Sequence, residues 1–342
     1  MRNKLFVCAL LASLIACTHA EKSNGSIMKD LSKNNDLSFT CTSEPTPSEP
    51  QDADILFKYA RWLETKRGPK NFPQVARFYR IAAWNGHYKA NRNLRNLILA
   101  YGDVVHGTNS ELYDLNKLLL DRNIPVAYFN MGNSLDGGRG VARDPKAALR
   151  YYKRAADLGN PEAQYLLGDK LTVKTSTAEV WDVGQKMRVC AAKQGHKQAI
   201  LDVIAYYRTE KKYNDAIALL QIGVRNGDGQ SAFLLSRAFS SDGTQKGTLF
   251  YFGQSTDLER SKRYATIYDL TERYFIYNPK VPDIDKIAPL PPAPLPKWDG
   301  TFQWEKEYLN RPNLPVPNDE LVRRLADAKG LDPATGLPLK SK

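Results

Sequence analysis

One phrase recurs along this chain of 342 residues: a pair of alanines, then a glycine, then another alanine. It reads Ala82-Ala83, Gly86, Ala90; again Ala155-Ala156, Gly159, Ala163; and again Ala191-Ala192, Gly195, Ala199. The first two copies lie 73 residues apart and the next two 36, so the unit is about half of the longer spacing. A period in this range means stacked helix pairs rather than one closed core. The small pair lets two helix backbones approach closely. The glycine lets the chain leave a helix at positive φ. These positions therefore carry packing, and function must lie on the variable side chains between them.

Apolar spacing fills in the helices. Asp52 to Trp62 carries Ile55, Leu56 and Tyr59 on one face, and Gly68-Pro69 ends it. Pro73 opens the next helix, which runs to Trp84; Tyr88 to Tyr101 then packs back. Leu112 to Arg122 fills the missing half-period between the first two copies. The clearest unit spans Val126 to Leu167, with Met131-Gly132, Gly138, Gly140-Val141, Lys146-Ala147, Tyr151-Tyr152, Ala155-Ala156, Gly159 and Ala163. Within it, Asp144-Pro145 is a helix start, with Asp as cap and Pro in the first turn. A fourth copy is looser: Gly223 replaces one small residue, and Gly227 and Ala232 stand five apart rather than four. The unit from Val126 to Leu167 is identified as a Sel1-like repeat, a cousin of the tetratricopeptide repeat. The resemblance implies an all-α fold, an alpha-alpha superhelix of roughly five units over residues 51–240.

Residues 241–342 break the pattern. Leu258 to Tyr277 is a helix candidate, and a proline-rich stretch follows, Pro289-Leu290-Pro291-Pro292-Ala293-Pro294-Leu295-Pro296 with Trp298. A disordered linker and an ordered extended arm are both open readings. Leu290, Leu295 and Trp298 are costly to expose, at roughly 1.5–3 kcal/mol each, which favours an arm lying along the helices. Asp319 to Lys329 reads as a short last helix, and Leu331 to Lys342 as a frayed end.

The N-terminus reads as an export signal: Arg2 and Lys4, then an apolar run from Leu5 to Ala16. Leu14-Ile15-Ala16-Cys17 resembles the lipobox of bacterial lipoproteins, which implies a signal peptide over 1–16 and lipid on Cys17. Thr18, rather than Asp, after the Cys resembles the outer-membrane sorting pattern. The expected location is the outer membrane, facing the periplasm, with membrane association through the N-terminal lipid. Residues 17–50 are rich in Ser, Thr, Asn, Lys, Glu and Pro and read as a flexible tether. An oxidising periplasm permits a bond between Cys41 and Cys190, but the placement of Cys41 in the tether favours two independent thiols. The net charge of +12 suits an acidic partner or a membrane surface; nucleic acid is the wrong partner for an exported lipoprotein.

The chain has four histidines, His19, His87, His106 and His196. His87 and His196 follow Gly86 and Gly195, which argues for a turn role. His87-Tyr88-Lys89 begins like the phospholipase D signature, but Leu94 stands where that signature needs Asp. No Gly-x-Ser-x-Gly elbow or phosphate loop is present, and no cofactor, metal or catalytic residue is expected.

The Tyr-rich helix and the proline-rich stretch resemble an uncharacterised region that accompanies Sel1-like repeats in small proteobacterial lipoproteins. Some of these are immunity proteins for type VI secretion phospholipase effectors of the phospholipase D type. The resemblance implies a non-enzymatic protein that binds a secreted phospholipase on its concave face. Trp84, Tyr88, Arg95, Arg154 and Trp298 are the candidate partner contacts. An envelope scaffold or signalling adaptor of the Sel1-like class is the alternative.

Overall fold

The structure is a computed structural model that describes residues 38–339. The expected signal segment, Cys17 and the first part of the expected tether lie outside the described residues. Twelve helices pair in sequence order. They are α1 (Gln51–Thr65) with α2 (Phe72–Trp84), α3 (Tyr88–Val105) with α4 (Asn109–Leu120), and α5 (Pro125–Gly137) with α6 (Pro145–Asp157). Next come α7 (Pro161–Leu171) with α8 (Ala178–Lys193), α9 (Lys197–Thr209) with α10 (Tyr213–Arg225), and α11 (Gly229–Ala238) with α12 (Leu258–Arg273). The last pair corrects the sequence reading, because α12 packs on α11 as a second helix of a sixth unit. A long connection over residues 239–257 hides that pairing from the repeat spacing.

The repeated phrase works as one device. The paired alanines end the second helix of a unit and are buried, as is the alanine that follows. Gly86, Gly159 and Gly195 all take positive φ, between 86° and 97°. The next residue caps the following helix: His87 and His196 accept through Nδ1 from the Ala90 and Ala199 amides, each at 3.1 Å, and Asn160 accepts from Ala163 at 3.0 Å. Each histidine also stacks on a ring of the first helix of the unit before it, His87 on Phe57 of α1 and His196 on Tyr165 of α7. Its Nε2 faces a carboxylate there, Asp54 at 3.2 Å and Glu162 at 2.9 Å.

Two further copies of the phrase are written in other residues. Between α4 and α5, Asn123 takes the glycine's place at φ 54°, and Ala127 is the buried alanine. Between α10 and α11, Asp228 caps the Ser231 amide at 3.0 Å, so Ser231 and not Ala232 fills the alanine slot. The spacing there is four after all. A Cβ on Gly223 would stand 2.2 Å from Ser231 Oγ, so the smaller residue in the pair makes room for the larger one opposite.

The expected tether is overturned over its last residues. Residues 38–50 lie across the ends of successive pairs, and Cys41 is disulfide-bonded to Cys190 rather than free. Gln164 Nε2 donates to the Thr42 carbonyl at 2.9 Å, and the Glu44 amide donates to Gln194 Oε1 at 2.9 Å. Glu44 accepts from the Val126 amide at 3.2 Å and from Asn160 Nδ2 at 2.9 Å. Glu49 accepts from the amides of Tyr88 at 2.7 Å and Lys89 at 3.2 Å. The first amides of a helix have no partner within it and are satisfied from outside. Val126 sits in α5, which has no side-chain cap of its own. Apart from Phe39, half-buried against the core of α6 to α8, this strap completes helix ends with carboxylates rather than burying apolar surface, which is why its composition reads as disorder. It passes so close to Gly159 that a Cβ there would stand 2.5 Å from the Ser43 carbonyl carbon. Burial pushes the Glu44 carboxyl above its ordinary value, against the hydrogen bonds and the Arg92 charge that favour ionisation.

The tail returns to the start of the array. From a turn of 3-10 helix at Phe275–Tyr277 the chain passes through α13 (Ile284–Ile287) and the proline-rich stretch, then α14 (Gln303–Asn310) and α15 (Asp319–Asp327). Leu290, Leu295 and Trp298 are half-buried against the core formed by α8 to α12, as an ordered arm requires. Val322, Leu325, Ala326 and Leu331 are buried in the core formed by α1 to α4. Residues 331–339 are not a frayed end: Leu331 bridges to Pro338, and Arg77 Nε donates to the Pro333 carbonyl at 2.6 Å. The first and last units are thus joined through one continuous arm.

A candidate docking groove where the tail meets the first helix pair

The partner contacts read from the sequence do not converge. Tyr88 is buried and gives its hydroxyl to Glu44 of the strap at 3.4 Å. Arg95 is buried between α3 and α4, donates to the Leu112 carbonyl at 2.8 Å, and is lowered to about 10 by burial alone. Both face inward because the tight helix packing turns that side of α3 into the core; a cation at helical spacing does not reveal this. Trp84 is half-buried against the first core. Trp298 is half-buried beneath the Arg263 guanidinium and donates to the Thr301 carbonyl at 2.9 Å. Arg154 alone of the five is exposed, lying over the Tyr128 ring at 5.8 Å.

A different surface brings chemistry together. The end of α1, the α1–α2 connection and the α2–α3 side of the first unit face the 3-10 turn and α14. Three adjoining hollows of about 290, 320 and 410 Å³ follow this seam, sharing Tyr277, Tyr308 and Arg311. The walls are aromatic. Trp304 stacks on Tyr308 at 5.0 Å, Tyr277 meets Tyr308 at 4.9 Å, and Phe72 stacks on Tyr101 at 4.2 Å. The rims are cationic. The guanidiniums of Arg311 and Arg67 lie over Tyr308 at 4.7 and 5.8 Å, and the Lys70 ammonium over Tyr277 at 5.7 Å. Such contacts are worth about 0.5–1 kcal/mol where exposed and more where dry, and they hold the cations in place.

Lys66, Arg61, Arg67, Lys70 and Arg311 line the seam against only two carboxylates, Glu64 and Glu307. Glu64 is already held by Arg61 at 2.7 Å and by the Tyr79 hydroxyl at 2.8 Å. Arg311 is fixed by donation to Thr65 Oγ1 at 2.8 Å and to the Thr65 carbonyl. Burial holds both Lys70 and Arg311 below their ordinary values. Beside this seam Phe275 and Ile276 project into solvent at 72% and 65% exposure. Among the described residues no cluster of three or more His, Cys, Asp and Glu could hold a metal. Rigid aromatic surface with anchored cations is equipment for binding. Nothing in the sequence could locate it, because its two walls are at least 175 residues apart, the separation of Tyr101 and Ile276.

Comparison with known proteins now adds the repeat's family. Residues 125–160 match the Sel1 repeat. That match begins with α5 and ends at Asn160, the residue that caps α7, so it is one helix pair with its exit turn. Residues 231–339 match a domain of unknown function, DUF6396, which takes in α11, α12 and the returning tail. No curated protein matches the sequence. Among solved structures, immunity protein Pa5087 from Pseudomonas aeruginosa is 27% identical with a TM-score of 0.57. The match covers 75% of this chain and 96% of that one. Immunity protein PA5088 from the same organism is 25% identical with a TM-score of 0.57, over 75% of this chain and 95% of that one. The chain is therefore an all-helical Sel1-type solenoid similar to solved immunity proteins.

Proposed function

We propose that this protein is an immunity protein, which binds a secreted toxic effector and blocks it. The observation that carries this reading is its likeness to two immunity proteins over three-quarters of its length. The architecture supports it: a solenoid closed by its own tail presents a large, rigid face at little ordering cost on binding. The finer reading follows the sequence resemblance. The effector is a type VI secretion phospholipase of the phospholipase D type. The protein meets it in the periplasm, held at the outer membrane by lipid on Cys17. A basic surface would speed capture of an acidic enzyme.

The test is co-expression with a secreted phospholipase of that type, sought first among the genes neighbouring this one, followed by pull-down, a lipase assay and survival under periplasmic expression of the enzyme. A stable complex with lost lipase activity and restored growth is expected. No complex at micromolar concentration and no protection would overturn the reading and leave the scaffold alternative. Cys17→Ser should move the protein out of the membrane fraction; retention there would overturn the lipid anchor alone.

A further inference from the structure

We propose that the seam between the first helix pair and the returning tail takes an acidic segment of the effector, with an apolar side chain seated between Tyr101 and Ile276. This rests on the immunity reading for the identity of the partner, and on geometry for its chemistry.

The larger hollow, about 410 Å³, is walled by Phe72, Leu97, Ala100, Tyr101, Ile276 and Tyr277. Its volume lies in the range of sites that take one small apolar group. Tyr101 is 43% and Ile276 65% exposed, so both keep apolar surface for an occupant to cover. Lys70 stands in the same wall, and Lys66, Arg67 and Arg311 line the adjoining hollow. Among the described residues none of these four forms a salt bridge, whereas Arg61 in the same seam and Arg273 beside it each do. Lys70 and Arg311 are already partly desolvated by the fold, so these cations without a carboxylate gain most when an acidic group arrives. Arg67 and Arg311 are also pre-set on the two contacts to Tyr308, so little side-chain freedom remains to be lost. An apolar pocket flanked by fixed, unpaired cations matches an apolar residue flanked by Asp or Glu. A lipid headgroup would use the cations but not the enclosed aromatic pocket, so the protein segment is the better fit.

The test uses the full chain and a fluorescein-labelled peptide with one Phe flanked on both sides by glutamates. Binding is read by anisotropy at low and high salt, for the wild type, Lys66→Glu/Arg67→Glu and Ile276→Asp. The variants change exposed or half-exposed groups, and circular dichroism checks that they fold. Salt-sensitive binding is expected, weakened roughly tenfold or more by either variant and by replacing the Phe with Gly in the peptide. No binding by the wild type, equal binding by the variants, or binding only to anionic phosphatidylglycerol vesicles would overturn the proposal. The same variants are then tested against the co-expressed phospholipase. If the wild type holds the enzyme and both variants hold it equally, the seam is not its dock and the immunity reading stands. If the peptide docks in the seam and the enzyme does not bind at all, the immunity reading falls and the seam's chemistry stands.

Discussion

Removing the bond between Cys41 and Cys190 tests whether the strap is part of the fold. The linked residues are 149 apart in sequence. In the chain-entropy account, a crosslink over a loop of that length removes about 5 kcal/mol of freedom from the unfolded chain. That is a ceiling, because without the bond the folded protein regains freedom too as the strap loosens from Gln164, Gln194 and Asn160. With a urea slope of about 3 kcal/mol per M, the ceiling corresponds to a midpoint shift of roughly 1.5 M. The assay is urea unfolding of the wild type and of Cys41→Ser/Cys190→Ser, followed by tryptophan fluorescence. A lower midpoint is expected, together with faster hydrogen exchange at the Tyr88 and Val126 amides, which the strap carboxylates protect. An unchanged midpoint with unchanged exchange at those amides would refute the reasoning, since it would mean that the helix ends find their partners without the crosslink.

Three other perturbations follow from the same contacts. His87→Asn should be nearly neutral, because Asn160 does the same capping in the sibling unit, whereas His87→Ala should cost about 1 kcal/mol in urea unfolding; equal losses for both would mean that the ring's stacking on Phe57 matters more than the cap. Glu111→Ala strands the buried Arg80 guanidinium, now bonded to it at 2.6 Å, and should cost about 3–5 kcal/mol, read as a fall in thermal midpoint; a loss below about 1 kcal/mol would mean that Arg80 escapes to water. The folded state holds the Glu44 proton more tightly than the unfolded chain does, so stability drawn from this group falls as pH rises from its ordinary value of 4.5 through its raised one. Glu44→Gln should therefore gain on the wild type between pH 4 and neutrality in urea unfolding, and a pH-independent difference would contradict the burial of that carboxylate.

What the sequence conveys depends on which force holds each part. The pairs are legible because close helix packing needs small residues at fixed offsets, and a substitution such as Ser231 for Ala requires a compensating Gly223 opposite. The unit with Asn123 and Ala127 is legible only by its geometry, since Asn reaches positive φ without being glycine. The strap is illegible because its stabilisation comes from carboxylates on helix amides and from a covalent bond, neither of which leaves an apolar pattern. Tyr88 and Arg95 look like surface anchors by residue type and are core by position. The seam is a product of the tail's path, and no local pattern encodes where a chain returns after 175 residues or more.

An open solenoid is indifferent to its own length, because each unit touches only its neighbours and one more can be added at either end. Here Arg324 reaches Asp52, Asn85 reaches the Leu325 carbonyl, and Arg311 reaches Thr65. Duplicating or deleting a unit in the middle would pull those ends out of register by a whole helix pair. Repeat number in this protein is therefore locked by closure, and its descendants would diversify by substitution on a fixed frame, where open arrays can diversify by growing or shrinking.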